Sequence, residues 1–84
     1  MDELILKLKK RFPLSKRIIV KRVAMRDYGS TSLSNNTITI CIKKGSPNPA
    51  EILAHEWAHA VIFDREGDHH PRWGKVYAEC YQLI

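Results

Sequence analysis

Apolar and polar positions alternate along this chain in two different rhythms, and the change of rhythm divides it into elements. From Asp2 to Phe12 the apolar residues fall at Leu4, Ile5, Leu8 and Phe12, the spacing of one helical face, with Lys7, Lys9, Lys10 and Arg11 mostly on other faces. Asp2 suits the start of that helix dipole, the basic cluster suits its end, and Pro13 stops it. Arg17 to Met25 is rich in β-branched residues (Ile18, Ile19, Val20, Val23) and predicts a strand of imperfect alternation. Tyr28 to Leu33 and Thr37 to Ile42 flank Ser34-Asn35-Asn36, a polar link of the kind tight hairpins use. In the second arm Ile38, Ile40 and Ile42 point one way and Thr37, Thr39 and Cys41 the other. These runs predict a three-stranded, mainly antiparallel sheet.

The rhythm then returns to helical. Asn48 can cap, Pro49 fits the first helical position, and Glu51 completes an Asn-x-x-Glu box. Leu53, Trp57, Ala60, Val61 and Phe63 supply bulk for the core, and Gly67 is a natural stop. Glu51, His55, His59, Ile62 and Glu66 form a stripe on a neighbouring face, which places any ligand at the helix surface under a cleft. A last helix begins about Pro71 and carries Val76, Tyr77, Cys80 and Tyr81. The fold class is therefore α+β, one domain over residues 1–84, near the size where a core is marginal and a bound metal helps.

Composition narrows the class. An apolar share of 44% with 27% charged residues is that of an ordinary globular protein, and no stretch is apolar enough to span a bilayer. The acidic start and short apolar run before Lys7 do not read as a signal peptide. Cys41 and Cys80 form no C-x-x-C pair and read as two buried reduced thiols, which points to a cytoplasmic protein without a membrane partner. Charge is uneven. Residues 1–26 hold nine basic residues against two acidic ones, a balance of +7, whereas the rest hold five against seven, a balance of −2. Basic residues 7–26 can steer nucleic acid to the surface, or they can be a solvated face, the reading favoured by the lack of interleaved aromatics.

The chemistry concentrates in His55-Glu56-Trp57-Ala58-His59. All four histidines of the chain lie between positions 55 and 70. On a helix His55 and His59 stand about 6 Å apart along one stripe, so two imidazoles can share one metal ion, with Glu56 beside them as a general base. Three routes lead to a third ligand. The x-x-G-x-x-H extension is excluded, since Ile62 and Arg65 occupy its positions. Glu79 is the only acid on the last helix. The turn Asp68-His69-His70-Pro71 offers a histidine, and His69 is our choice.

Ala54-His55-Glu56-Trp57-Ala58-His59-Ala60 followed by Asp68-His69-His70-Pro71-Arg72-Trp73-Gly74 resembles the SprT-like (Spartan-type) zinc metallopeptidases, a group with small virus-encoded members. Their second motif runs His-Gly-x-x-Trp or His-Gly-Pro-x-Trp-Gly. The resemblance covers about half the chain in motif detail. It implies a zincin-like fold with the H-E-x-x-H helix between the sheet and a C-terminal helix. It also implies Zn2+ held by His55, His59 and His69, with Glu56 as catalytic acid/base, possible action on DNA-associated proteins, and a host-cytoplasmic location for a viral member. His70 replaces the family's glycine, which leaves a swap with His69 open, and the zinc ribbon and DNA-binding tail of larger members are absent.

The reading that follows is a zinc metallopeptidase that hydrolyses peptide bonds of a protein or peptide substrate. Tyr28, Tyr77 and Arg72 are each candidates to stabilise an oxyanion, and Trp73 reads chiefly as a packing anchor. A non-catalytic nucleic-acid-binding or adaptor protein stapled by zinc is the rival, and it requires four protein ligands. A metal-dependent hydrolase acting on something other than peptides is a third.

Overall fold

The structure is a computed structural model; it describes residues 2–65 and 73–84, with residues 63–65 through their backbone alone. Six elements follow in order: α1 (Asp2–Arg11), β1 (Arg17–Val23), β2 (Gly29–Ser34), β3 (Thr37–Lys43), α2 (Pro49–Arg65) and α3 (Trp73–Gln82). Every expected element is present. Expectations that fall on Glu66, Gly67, Asp68, His69, His70, Pro71 and Arg72, and on the side chain of Phe63, lie outside the described residues.

The sheet corrects the sequence reading. It is mixed, not mainly antiparallel: the strand order is β1-β3-β2, with β1 parallel to β3 and β2 antiparallel to it. The segment from Ala24 to Tyr28 carries the chain around the end of β3, where Lys43 N–H donates to Tyr28 O (2.8 Å) and Lys44 N–H to Val23 O (2.9 Å). The physical reason is burial. Ile38, Ile40 and Ile42 are all fully buried and gain most with a strand on each side, whereas β1 carries Arg17, Lys21 and Arg22, which tolerate an edge.

Asn35 and Asn36 make the two-residue hairpin between β2 and β3. Both adopt positive φ (52° and 59°), which asparagine tolerates better than most residues and which a type I′ turn demands.

At the start of α2 the Asn48 side chain accepts from Glu51 N–H (3.3 Å), the expected cap, and its amide donates to Glu51 Oε2 (2.8 Å), so the glutamate returns to the capping side chain where a box would use the backbone N–H. One face of α2 then buries Leu53, Trp57, Ala60 and Val61, the core face expected of it. Leu4 and Leu8 come from α1, Phe12 from just after it, Val76 and Cys80 from α3, and the three isoleucines from β3. Trp57 Nε1 donates to Phe12 O (3.3 Å), pinning the end of α1 to α2. Arg11 and Glu79 form an exposed ion pair at 2.6 Å, joining α1 to α3.

Register gives each strand two faces. Ile18 and Val20 lie level with Ile38 and Ile40, and Thr31 and Leu33 with Ile40 and Ile38, on the side that meets the helices. The opposite face presents Thr37, Thr39, Cys41 and Lys43 along its centre. Cys41 is thus half-buried there, so only Cys80 fits the expectation of a buried thiol; both cysteines are free. No helix among the described residues is long and apolar enough to cross a membrane.

Candidate metal centre

Helical spacing alone brings His55 and His59 together, one turn apart on α2. Their ring centres are 5.0 Å apart at an interplanar angle of 65°. A zinc-bound imidazole keeps its nitrogen about 2.0–2.1 Å from the ion and its ring centre about 3.2 Å away, so a tetrahedral angle sets two ring centres about 5 Å apart. The pair meets that requirement. His69, the third expected ligand, and its substitute His70 lie outside the described residues. Among the described residues no group of three His, Cys, Asp or Glu side chains is placed to hold a metal. Glu79, the alternative third donor, is engaged by Arg11 instead.

Glu56 occupies the seam between α2 and β2. It is 7% exposed, the buried acidic residue among the described side chains, and a carboxylate there needs hydrogen bonds. Thr31 supplies one: its Oγ1 donates to Glu56 Oε1 at 2.7 Å, with the Glu56 backbone carbonyl a longer, competing acceptor at 3.1 Å. The other carboxylate oxygen, Oε2, stands 3.9 Å from His55 Nε2, too far for a direct hydrogen bond. Gly29 makes the approach of β2 possible. A Cβ at that position would lie 2.7 Å from Ile52 Cγ2 and 3.1 Å from both Cγ and Oε2 of Glu56.

A cleft of about 620 Å³ opens over this seam, lined by Tyr28, Gly29, Glu51, His55, Glu56 and Tyr77 among others. It has the size of a ligand site rather than a packing defect. An aromatic wall closes the other side. Trp73 sets its ring centre 5.0 Å from both His55 and His59, and stacks on Tyr77 at 5.3 Å and 23°. Tyr77 in turn meets the His55 ring edge-on at 5.3 Å. Burial, followed by the negative charge of Glu51, raises the Tyr77 pKa above its usual value, and a hydrogen bond to the Glu51 carboxylate adds to this. Trp73 Nε1 is buried with no hydrogen-bond partner among the described residues, and the indole meets the imidazoles through its ring.

Of the expected site residues, the structure brings His55, His59 and Glu56 into one place. Tyr77 and Tyr28 both line the cleft, while Arg72 lies outside the described residues. Thr31 and Gly29 had no place in the sequence reading. Gly29 carried a signal, since a glycine at the head of a strand marks close approach of another group. Thr31 carried none, because a threonine in a strand is ordinary.

No protein-family model, curated protein or solved structure matches the chain.

Proposed function

We propose that this chain is a zinc-dependent peptidase of the SprT-like type, with Glu56 as its general acid/base and His55, His59 and His69 as the metal ligands. One observation carries the reading: a buried carboxylate, held by Thr31, lines the same cleft as His55, whose ring centre stands 5.0 Å from that of His59, the separation a shared zinc ion requires. Zinc, when bound, supplies Lewis acidity that polarises the scissile carbonyl and makes water a nucleophile near neutral pH.

The protein's own groups do the rest. Glu56 Oε1 is committed to Thr31, leaving Oε2 toward the cleft, where it takes the proton of the attacking water and returns it to the departing amine. Trp73 and Tyr77 pack on the imidazoles and hold their rings against rotation. The second edge of β2 is unpaired within the three-stranded sheet and leads into the cleft at Gly29, so an extended substrate segment can add to it through main-chain hydrogen bonds. Such pairing reads backbone more than side chains and gives broad sequence tolerance.

The test is hydrolysis of an unfolded, dye-quenched protein by the zinc-loaded chain, repeated after chelation and with His55→Ala and His59→Ala. Activity that falls to background on chelation, returns with zinc and is absent in both variants supports the proposal. Chelator-resistant cleavage, or full cleavage by either variant, refutes it.

A further inference from the structure

The exposed positive charge of the chain is divided among several surfaces, and part of it gathers on one face of the sheet. Within residues 1–26, Lys7 lies 3.9 Å from Glu3, Arg11 is paired with Glu79, and Arg22 lies level with Ile42, on the helix side of the sheet. Arg17 and Lys21 project from the opposite side, the face that no helix of the described residues covers. Lys43, from outside the basic stretch, joins them on the central strand.

That face has an unusual composition. In register, Arg17 lies level with Thr37, Ile19 with Thr39, Lys21 with Cys41 and Val23 with Lys43. On the other side of β3, Ser30, Ser32 and Ser34 lie level with Cys41, Thr39 and Thr37. No carboxylate occurs among these positions, and the cations are interspersed with short hydroxyl side chains. Same-face residues repeat every ~6.6 Å along a strand and neighbouring strands lie ~4.8 Å apart, so Lys21 and Lys43 stand about 8 Å from each other.

A grid of cations and hydroxyl donors without acceptor charge matches phosphodiester oxygens, which proteins hold with Arg, Lys, Ser and Thr side chains. Two apolar features add to it. Ile19 is 39% exposed midway along the edge strand β1, and at one end the 66% exposed Tyr28 ring carries the Lys43 ammonium 5.4 Å from its centre. An exposed ring of that kind accepts a stacked base. A sheet three strands wide presents a narrow face that a rigid duplex touches along one phosphate row, whereas a flexible strand can lie across it.

We propose that the uncovered sheet face binds the backbone of single-stranded nucleic acid, without reading sequence, through Arg17, Lys21 and Lys43. Because Tyr28 also lines the cleft, a bound strand ends beside the candidate metal centre. This inference is independent of the peptidase reading and is tested without it.

The experiment is fluorescence anisotropy of a labelled oligothymidylate of about 20 nucleotides, longer than one binding site, titrated with the full chain. Three phosphate contacts predict a log–log salt slope near −2, hence a roughly 15-fold weakening between about 50 and 200 mM salt. Arg17→Gln, Lys21→Gln and Lys43→Gln combined should lose at least about ten-fold at the lower salt and flatten the slope. Lys7→Gln, Lys9→Gln and Lys10→Gln on α1, equal in charge change, should lose less than about three-fold. In the wild-type chain, bound oligonucleotide should protect Lys21 and Lys43 from acetylation and leave Lys9 and Lys10 reactive, a readout that needs no variant. Equal losses in both triple variants, absence of binding at low salt, equal protection of all four lysines, or tighter binding to phosphatidylserine vesicles than to the oligonucleotide would each overturn the proposal.

Discussion

Thr31→Val is the perturbation that probes the site most finely, because it removes one hydroxyl and preserves shape and strand preference. The hydroxyl donates at 2.7 Å to a carboxylate that is almost wholly buried, and nothing else among the described side chains is placed to replace it. Hydrogen bonds to charged groups contribute about 1.5–3 kcal/mol, and a buried acceptor left unpaired costs a similar amount. Valine returns a little of this through its extra methyl, so a net loss of about 1–3 kcal/mol is expected. For a chain of this length each kcal/mol moves Tm by about 4–8 °C, which predicts a fall on the order of 10 °C. Thr31→Ser keeps the hydroxyl and should recover most of it.

Urea unfolding followed by circular dichroism measures the change, and the decisive version is a double-mutant cycle with Glu56→Ala. If the stabilisation resides in the pair, Thr31→Val should cost less than about 0.5 kcal/mol once Glu56 is gone, a coupling of at least about 0.5 kcal/mol. Equal costs in the two backgrounds would show that Thr31 acts through packing alone and that Glu56 is positioned by something else.

Further outcomes follow from the same structure. Gly29→Ala should destabilise by about 1–3 kcal/mol, read as a shifted urea midpoint, because its Cβ would press on Ile52 and Glu56 and force β2 away from α2. Asn48→Ala removes the α2 cap and should cost about 1 kcal/mol in the same assay. Burial pushes the Cys80 thiol up to about 12, with the Glu79 charge adding and Arg11 opposing. The stabilisation it represents is complete below the unfolded thiol's ordinary value near 9 and is lost as pH rises toward about 12, so urea midpoints should fall across that window and fall less in Cys80→Ala. The half-buried Cys41 should react with a thiol reagent in the native state, and Cys80 only on unfolding.

Local signals carried well into three dimensions. Asn35-Asn36 made the hairpin, Asn48 with Glu51 made the cap, and the alternation of Ile38, Ile40 and Ile42 made the buried face of β3, since each is decided within a few residues. Strand order was not legible. Whether β1 sits beside β2 or beyond β3 depends on which strand gains most from two neighbours, a comparison across the whole chain that no local pattern encodes. The site divides the same way: one helical turn brings His55 to His59, but the hydroxyl that holds Glu56 comes from a strand 25 residues earlier in the sequence. Charge was legible as a total and in part as a location: Arg17 and Lys21 come from the basic stretch, but Lys7 and Arg11 lie beside acids and Lys43, outside the stretch, joins the sheet face.

The most direct measurement is zinc content and peptide turnover determined together on wild type and Glu56→Gln. The amide keeps the side chain's size and its contact with Thr31 but cannot carry a proton. One zinc per chain in both proteins, with turnover lowered by about 10²–10⁴-fold in the variant, is the expected result. Undiminished turnover in Glu56→Gln, or a wild-type chain that takes up no zinc, would contradict it.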